Sequence, residues 1–367
     1  MEKHMKILVI NLGATSSKVA VYEAGEQRFG KTIAHTQQEL KGKSTEEQQA
    51  FRKDILLKEL REAGYDLKDF SAAISRGGPL KPVESGTYLI DDNLEKDAAN
   101  PMVGGRHASC LGILIAYELA KQYGFPAYIA DPVSTDEMRP EAHLTGVKGI
   151  YRASMFHALN QKAMARKAAA SLGRRYDEMN FVVAHLGGGI SISAHERGKI
   201  VDVITDDAGP FSPERSGSVP VLYIVDMCYS GLYSKKELLA KLRGMGGLKA
   251  LLGTHDCREI ERMIAGGDEN AKLVYEAEAY QIAKGIGELS PTLDGGVDAI
   301  ILTGGVAYSK KLTGMVTERV SFIAPVMVLP GENELESLAL GALRILRGEE
   351  EAHEFVDGTP REMKLFV

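Results

Sequence analysis

The stretch "FVVAHLGGGISISAHERGK", Phe181–Lys199, passes from an apolar run through three glycines into alternating apolar and polar positions. An apolar run, a glycine turn and period-two alternation together read as two hairpin strands. A second stretch, "MKILVINLGATSSKVAVYEAG", Met5–Gly25, has the same outline, with Leu-Gly and small residues at its turn. One hairpin written twice, in two distant parts of the chain, points to a duplicated design.

Working outward, strands alternate with helices throughout, which defines an α/β protein. Helical spacing covers residues 43–64, with a strongly charged face, and a buried helix runs from His107 to a stop at Gly124. An Ala-rich helix is predicted over 151–175 and a last one over 337–347. "PAYIADPVS" reads as a short buried strand ending in Asp131. "VDAIILTGGVAYSKKL" reads as a buried strand, a Gly-Gly turn and the start of a helix. No linker or low-complexity segment intervenes. The expectation is two similar domains around a nucleotide cleft, residues 1–150 with 337–367 forming one and 151–336 the other.

The chain has 367 residues, 44% of them apolar and 26% charged, and a formal net charge of −6. That is the balance of a soluble globular protein, without the basic stripe that nucleic-acid binding demands. Three scattered cysteines suit a reducing compartment and no disulfide framework. The apolar run at the amino terminus is too short for a signal peptide, and no stretch reaches membrane-spanning length. A cytoplasmic protein with no membrane partner is expected.

Small residues at a strand turn let backbone N–H groups approach a ligand, and phosphate oxygens accept several such bonds at once. The first hairpin adds Asn11, Thr15, Ser16, Ser17 and Lys18 as polar donors; the second offers Gly187, Gly188 and Gly189. Two such turns would hold a γ-phosphate from two sides. "ILTGGV", with Gly304 and Gly305, is either a third phosphate contact at a helix start or a close-packed turn. It carries no Gly-Lys-Ser/Thr sequence.

Taken in order, the two hairpins, the aspartate after "YIA" and "ILTGGV" resemble the acetokinase family, within the actin, sugar-kinase and Hsp70 superfamily. Actin-like (ribonuclease H-like) domains are what that resemblance implies. "HLGGGIS" and "GPFSPERSG" are similar to the butyrate kinases of the family rather than to its acetate kinases, which typically read "HLGNGSS". The activity implied is transfer of the γ-phosphoryl of Mg-ATP to butyrate, or from butyryl phosphate to ADP. Mg²⁺ and ATP or ADP are the implied ligands, and a homo-oligomer the implied assembly. "VPVLYIVDMCYSGLY", residues 219–233, is apolar enough for an interface, and a core helix fits it as well.

Matched position by position, the resemblance makes Arg215 the contact to the transferring phosphoryl. Asp131 would position the acceptor and metal-bound water, and Glu334 would be the magnesium-associated carboxylate. His157 would donate to the phosphoryl, although a histidine in that setting is more often a core residue. His185 would lie near the phosphate. Asn11, Ser16 and Lys18 match phosphate-turn positions, with Ala14 replacing a serine. Asp256 and Arg258 would approach the adenosine, as would Gly304 and Gly305. In "AISRGG", Ala73 stands where acetate kinases have the substrate arginine, so Arg76 is expected to serve the carboxylate. Phe156 and Phe211 are the candidate walls of an apolar acyl pocket.

Other readings carry different chemistry. Isobutyrate, propionate or acetate could be the acceptor, since one methylene discriminates only about 10–200-fold. A nucleotide-driven binding or filament protein could use the same architecture without a small acceptor.

Overall fold

A computed structural model describes residues 5–13, 16–100 and 107–356. Its strands are β1 (Lys6–Leu12), β2 (Ser16–Glu23), β3 (Glu26–Ala34), β4 (Ala72–Arg76), β5 (Thr87–Leu89), β6 (Ala127–Ala130), β7 (Asn180–Leu186), β8 (Ile190–Glu196), β9 (Lys199–Ile204), β10 (Ala299–Gly304) and β11 (Val326–Pro330). They form a six-stranded sheet, β3-β2-β1-β4-β6-β5, and a five-stranded sheet, β11-β10-β7-β8-β9. In the first, β1–β3 form an antiparallel meander, and β4 and β6 join in parallel. In the second, β7–β9 repeat the meander and β10 and β11 repeat the parallel pair. Even the irregularity recurs, with a register shift at Val21/Tyr22 in one meander and at Ala194/His195 in the other. The duplication read from two hairpins therefore extends to whole sheets.

The chain divides into two compact units, residues 1–136 with 333–367 and residues 137–332. In the first, the helices Thr45–Glu62 and Ala108–Tyr123 pack on each other, and the helix Glu334–Leu346 lies against β1, β4 and β6. Ser44 and Glu47 close a capping box at the start of Thr45–Glu62, and Gly124, at φ 80°, ends Ala108–Tyr123. In the second unit, Glu269–Leu289 packs with Lys310–Val320, while Ala158–Ser171 covers β7 and β10. Each unit thus has a sheet between helices, with near-continuous apolar strands such as β1 and β7 at its centre. Among the described residues no helix is long and apolar enough to cross a membrane.

Three departures from the sequence reading stand out. The Ala-rich helix begins at Ala158 and not at 151, because residues 151–152 pair back onto 143–144: Tyr151 bridges Leu144, and the Arg152 N–H donates to the His143 carbonyl at 2.8 Å. The Gly304-Gly305 turn leads into a short 3₁₀ turn, Gly305–Tyr308, and the helix starts only at Lys310, capped by Ser309. β3 was not expected; it is an edge strand whose side chains are mostly exposed.

Within the core of the second unit, Glu278 is fully buried, and among the described residues neither carboxylate oxygen has a hydrogen-bond partner. Burial pushes its pKa from 4.5 up to about 8. The folded protein therefore holds a proton that the unfolded chain releases above its own lower pKa. Stability from this group is complete below pH 4.5 and is lost as pH rises towards 8. Glu278→Gln should remove that dependence, which has a limiting slope of about 1.4 kcal/mol per pH unit. Urea unfolding at pH 5 and pH 8 measures it; an unchanged slope in the variant would place the titration elsewhere.

Candidate active site

In the first unit, the ends of β1 and β4 meet the start of the helix Glu334–Leu346. Asn11, buried near the end of β1, donates through Nδ2 to Glu334 Oε2 at 2.6 Å. Arg76, last residue of β4, places Nη1 3.4 Å from Glu334 Oε1. Three residues named from sequence, Asn11, Arg76 and Glu334, therefore form one cluster. Glu334 lies in the first helical turn, where a carboxylate also gains from the helix dipole. Asp131 follows β6 with a φ of 40°, an uncommon conformation for a non-glycine residue. It does not cap a helix: its N–H donates to the Gly86 carbonyl at 3.0 Å, and its Oδ1 accepts from the Gly86 N–H at 2.9 Å.

The β1–β2 turn is braced from behind by residues that the sequence did not announce. Arg52, fully buried on the helix Thr45–Glu62, donates through Nη1 to the Ser16 carbonyl and to Ser17 Oγ, each at 3.1 Å. Ser17 Oγ also lies 2.7 Å from His35 Nε2. Ser16 and Lys18 are half-buried on β2, with Lys18 opposite Asn11 in the ladder. Ala14 and Thr15 lie outside the described residues.

In the second unit, the β7–β8 turn carries Gly187, Gly188 and Gly189. A Cβ on Gly188 would lie 3.2 Å from Glu214 Oε2, and one on Gly189 3.0 Å from Asp206 Oδ2, so a side chain at either would need the carboxylate to shift by a few tenths of an ångström. The Arg215 loop is stitched onto this turn: Ser212 Oγ and the Glu214 N–H both donate to the Gly188 carbonyl, at 2.7 and 3.1 Å. Arg215 is itself ion-paired, Nε to Asp206 Oδ2 at 3.2 Å, and Asp206 also holds Arg243 at 2.7 Å. The loop arginine is thus both beside the glycine turn and anchored by a carboxylate.

His157 is not on a helix face; it occupies the position just before Ala158–Ser171. Its ring stacks on His185 with centroids 3.9 Å apart and planes 9° from parallel. His157 Nδ1 lies 2.8 Å from Ser191 Oγ, and His185 Nδ1 lies 3.0 Å from Asn160 Oδ1. Gly304, at φ 90°, closes β10 against Leu186, just before the glycine turn, and exchanges backbone bonds with Gly331. The second unit therefore gathers His157, His185, the glycines and the Arg215 loop around the ends of β7 and β10.

Other expected residues stand apart. Asp256 caps the helix Cys257–Ala265, accepting from the Arg258 N–H at 2.9 Å and pairing with the Arg258 guanidinium at 2.6 Å. These contacts hold its carboxyl down, at about 2. Phe156 and Phe211 belong to different clusters: Phe156 packs with Met138, Ala142 and Val203, and Phe211 belongs to the main core of the second unit.

With this geometry in view, comparison with known proteins identifies the class. Residues 142–325 match the sequence profile of the acetokinase family, and the chain belongs to that family of carboxylate kinases. Its fold is that of acetate kinase from Porphyromonas gingivalis, with a TM-score of 0.78 and 21% identity over 93% of this chain and 100% of that one. A propionate kinase from Francisella tularensis subsp. tularensis matches at TM-score 0.73 and 20% identity, covering 91% and 98%. Acetate kinase from Entamoeba histolytica matches at 0.76 and 16%, covering 92% and 99%. The expected actin-like duplication is thereby the fold of this chain.

The turn at Gly304 supplies a direct test of this assembly. A Cβ there would sit 2.3 Å from the Leu186 carbonyl oxygen, at a backbone angle that L-residues avoid. Gly304→Ala should cost at least about 2 kcal/mol in chemical unfolding. Gly305→Ala meets nothing within 4 Å and should stay within about 0.5 kcal/mol of the parent. Equal costs at both positions would contradict the steric account.

Proposed function

We propose that the protein transfers the γ-phosphoryl of Mg-ATP reversibly to the carboxylate of butyrate, giving butyryl phosphate and ADP by direct in-line transfer. Propionate, isobutyrate and acetate are the alternative acceptors. The observation that carries the reading is the Arg215 loop, hydrogen-bonded to the carbonyl at the centre of the glycine turn. Phosphoryl transfer asks for positioning and positive charge more than for covalent chemistry, and a fixed arginine beside a glycine turn meets that need. The choice of butyrate rests on "HLGGGIS" and "GPFSPERSG" and on Arg76, three residues after Ala73, the place of the substrate arginine in the acetate-kinase pattern.

In this reading, residues 1–150 with 337–367 serve the carboxylate and residues 151–336 the nucleotide. Arg76 receives the acid; Asn11, Ser16 and Lys18 are the phosphate contacts of the first unit, and Gly187–Gly189 those of the second. Asp256, Arg258 and Gly304 with Gly305 serve the nucleoside side. Among the described residues no group of three or more His, Cys, Asp or Glu could hold a metal ion. The residues still fit Mg²⁺, which keeps several waters and asks for only one or two carboxylates besides phosphate oxygens. Glu334, with one hydrogen bond from Asn11, and Asp131 would hold it, and the ion would neutralise phosphate charge. Phe156 and Phe211 stay candidate acyl contacts, each from its own cluster.

The assigned assembly is a homo-oligomer. The helix Val221–Tyr229 buries none of its residues, and Leu222 and Tyr229 are 74% and 87% exposed, so it is not a core helix of this chain. A second copy is the occupant assigned to that face, since large exposed apolar patches are rare on monomers.

Two measurements test the reading. ADP release with acetate, propionate, butyrate, isobutyrate and valerate, with hydroxylamine trapping the acyl phosphate, should peak at butyrate or isobutyrate. Turnover indifferent to every acid would sink the kinase assignment. Arg215→Ala should lower kcat by about 10²-fold or more with the KM for ATP nearly unchanged; parallel losses in both would assign the residue to folding.

A further inference from the structure

β8 carries a polar face that is nevertheless buried. Ser191, Ser193 and His195 alternate along it with no exposure, while Ile190, Ile192 and Ala194 fill the core on the other side. The hydrogen bonds on the polar face have a direction that follows from one fixed point. A single side-chain nitrogen of Gln161 lies 3.2 Å from the Ser191 carbonyl and 2.9 Å from Ser191 Oγ. A carbonyl only accepts, so the amide nitrogen faces Ser191 and the amide oxygen faces Ser193.

The other links follow by counting protons. Ser193 Oγ donates to Gln161 Oε1 and so has no proton left for His195. His195 Nε2, 2.7 Å from Ser193 Oγ, is therefore the donor there. Its Nδ1 is then the acceptor for the Tyr176 hydroxyl, also at 2.7 Å. A neutral His195 agrees with its surroundings: burial, then Lys162 and Arg166, hold its pKa well below the ordinary value. At the other end, Ser191 Oγ accepts from Gln161 and from the His157 N–H at 3.4 Å, which occupies both lone pairs. Its own proton points to His157 Nδ1, 2.8 Å away.

We propose that Tyr176, His195, Ser193, Gln161 and Ser191 form a one-way hydrogen-bond chain that keeps His157 neutral, with its proton on Nε2. The ring is thereby a fixed donor for the transferring phosphoryl. His157 alone touches substrate; the other five are positioning residues. The stack on His185 acts in the same sense, because two imidazolium rings 3.9 Å apart repel. His185 donates from Nδ1 to Asn160 and has Nε2 3.8 Å from Glu332, so any positive charge on the pair belongs there. The role of His157 as donor rests on the function proposed above, but its tautomer does not.

Long-range ¹H–¹⁵N spectra of the full-length protein labelled with ¹⁵N-histidine read the tautomer without substrate, His157→Gln supplying the assignment. The parent should show His157 neutral with the proton on Nε2. In Gln161→Glu the second carboxylate oxygen accepts from Ser191, which reverses the last link. His157 should then carry a proton on Nδ1, and kcat should fall by about 10²-fold, with the KM for ATP within about twofold. Gln161→Met breaks the chain without reversing it and should give mixed tautomers. A parent ring protonated on Nδ1 overturns the proposal even if no variant folds. So does Gln161→Glu with an unaltered His157 spectrum. Absence of acid-dependent turnover with the expected parent spectrum would instead overturn the kinase reading and leave the chain intact.

Discussion

A hairpin turn made of glycines and small residues has few side chains of its own to brace it, so its rigidity must come from behind. Both hairpins obey this constraint with different means. The β1–β2 turn has Arg52, whose Nη1 reaches the Ser16 carbonyl and Ser17 Oγ from a helix on the same unit. Burial lowers the pKa of that guanidinium. A group charged at every working pH nonetheless remains a strong donor there, and its charge lies under the turn. The β7–β8 turn is braced by another means. The Gly188 carbonyl instead accepts from Ser212 and Glu214, and the loop that carries Arg215 is fixed by the same bonds. In one unit the positive charge is built into the support; in the other it arrives on a loop that the support holds.

These supports explain what the sequence disclosed and what it did not. The central strands were legible because β1 and β7 are apolar runs that break at small residues, a local signal. The helix Ala108–Tyr123 was legible from its apolar run and Gly124. β3 was not, because an edge strand with exposed side chains has no apolar alternation to read. The start of Ala158–Ser171 was hidden because the preceding residues are claimed by His143 and Leu144, a tertiary contact that overrides a helical pattern. At Gly304-Gly305 the strand end was legible and the helix start was not. The choice between a helix and a 3₁₀ turn depends on Ser309 four residues later.

The candidate site divides the same way. Asn11, Arg76 and Glu334 were named one by one from resemblance, and only the strand register and the crossing helix show that they touch. Arg52 sits in a helix whose charged residues read as a solvated face, so no local feature separated it from its neighbours. Ser191, Ser193 and His195 alternate with isoleucines as the outward face of any half-exposed strand would. Only the placement of Ala158–Ser171 over β7 and β10 shows that this face is interior.

A buried polar face is costly unless each atom is satisfied, since an unpaired donor or acceptor forfeits about 1–3 kcal/mol. An apolar strand at β8 would avoid that exposure to error, as the opposite face of the same strand does with Ile190 and Ile192. Glu278, in the same unit, shows what an unsatisfied group does instead: its carboxyl is pushed into its neutral form by burial. The β8 face has no such orphan, because each proton from Tyr176 to Ser191 has one acceptor. Satisfaction of that kind constrains direction as well as number. Once the Ser191 carbonyl orients Gln161, every hydroxyl and both rings beyond it have a single consistent arrangement. The physical return on burying polar atoms here is therefore specificity of protonation at His157, a property that packing alone cannot confer.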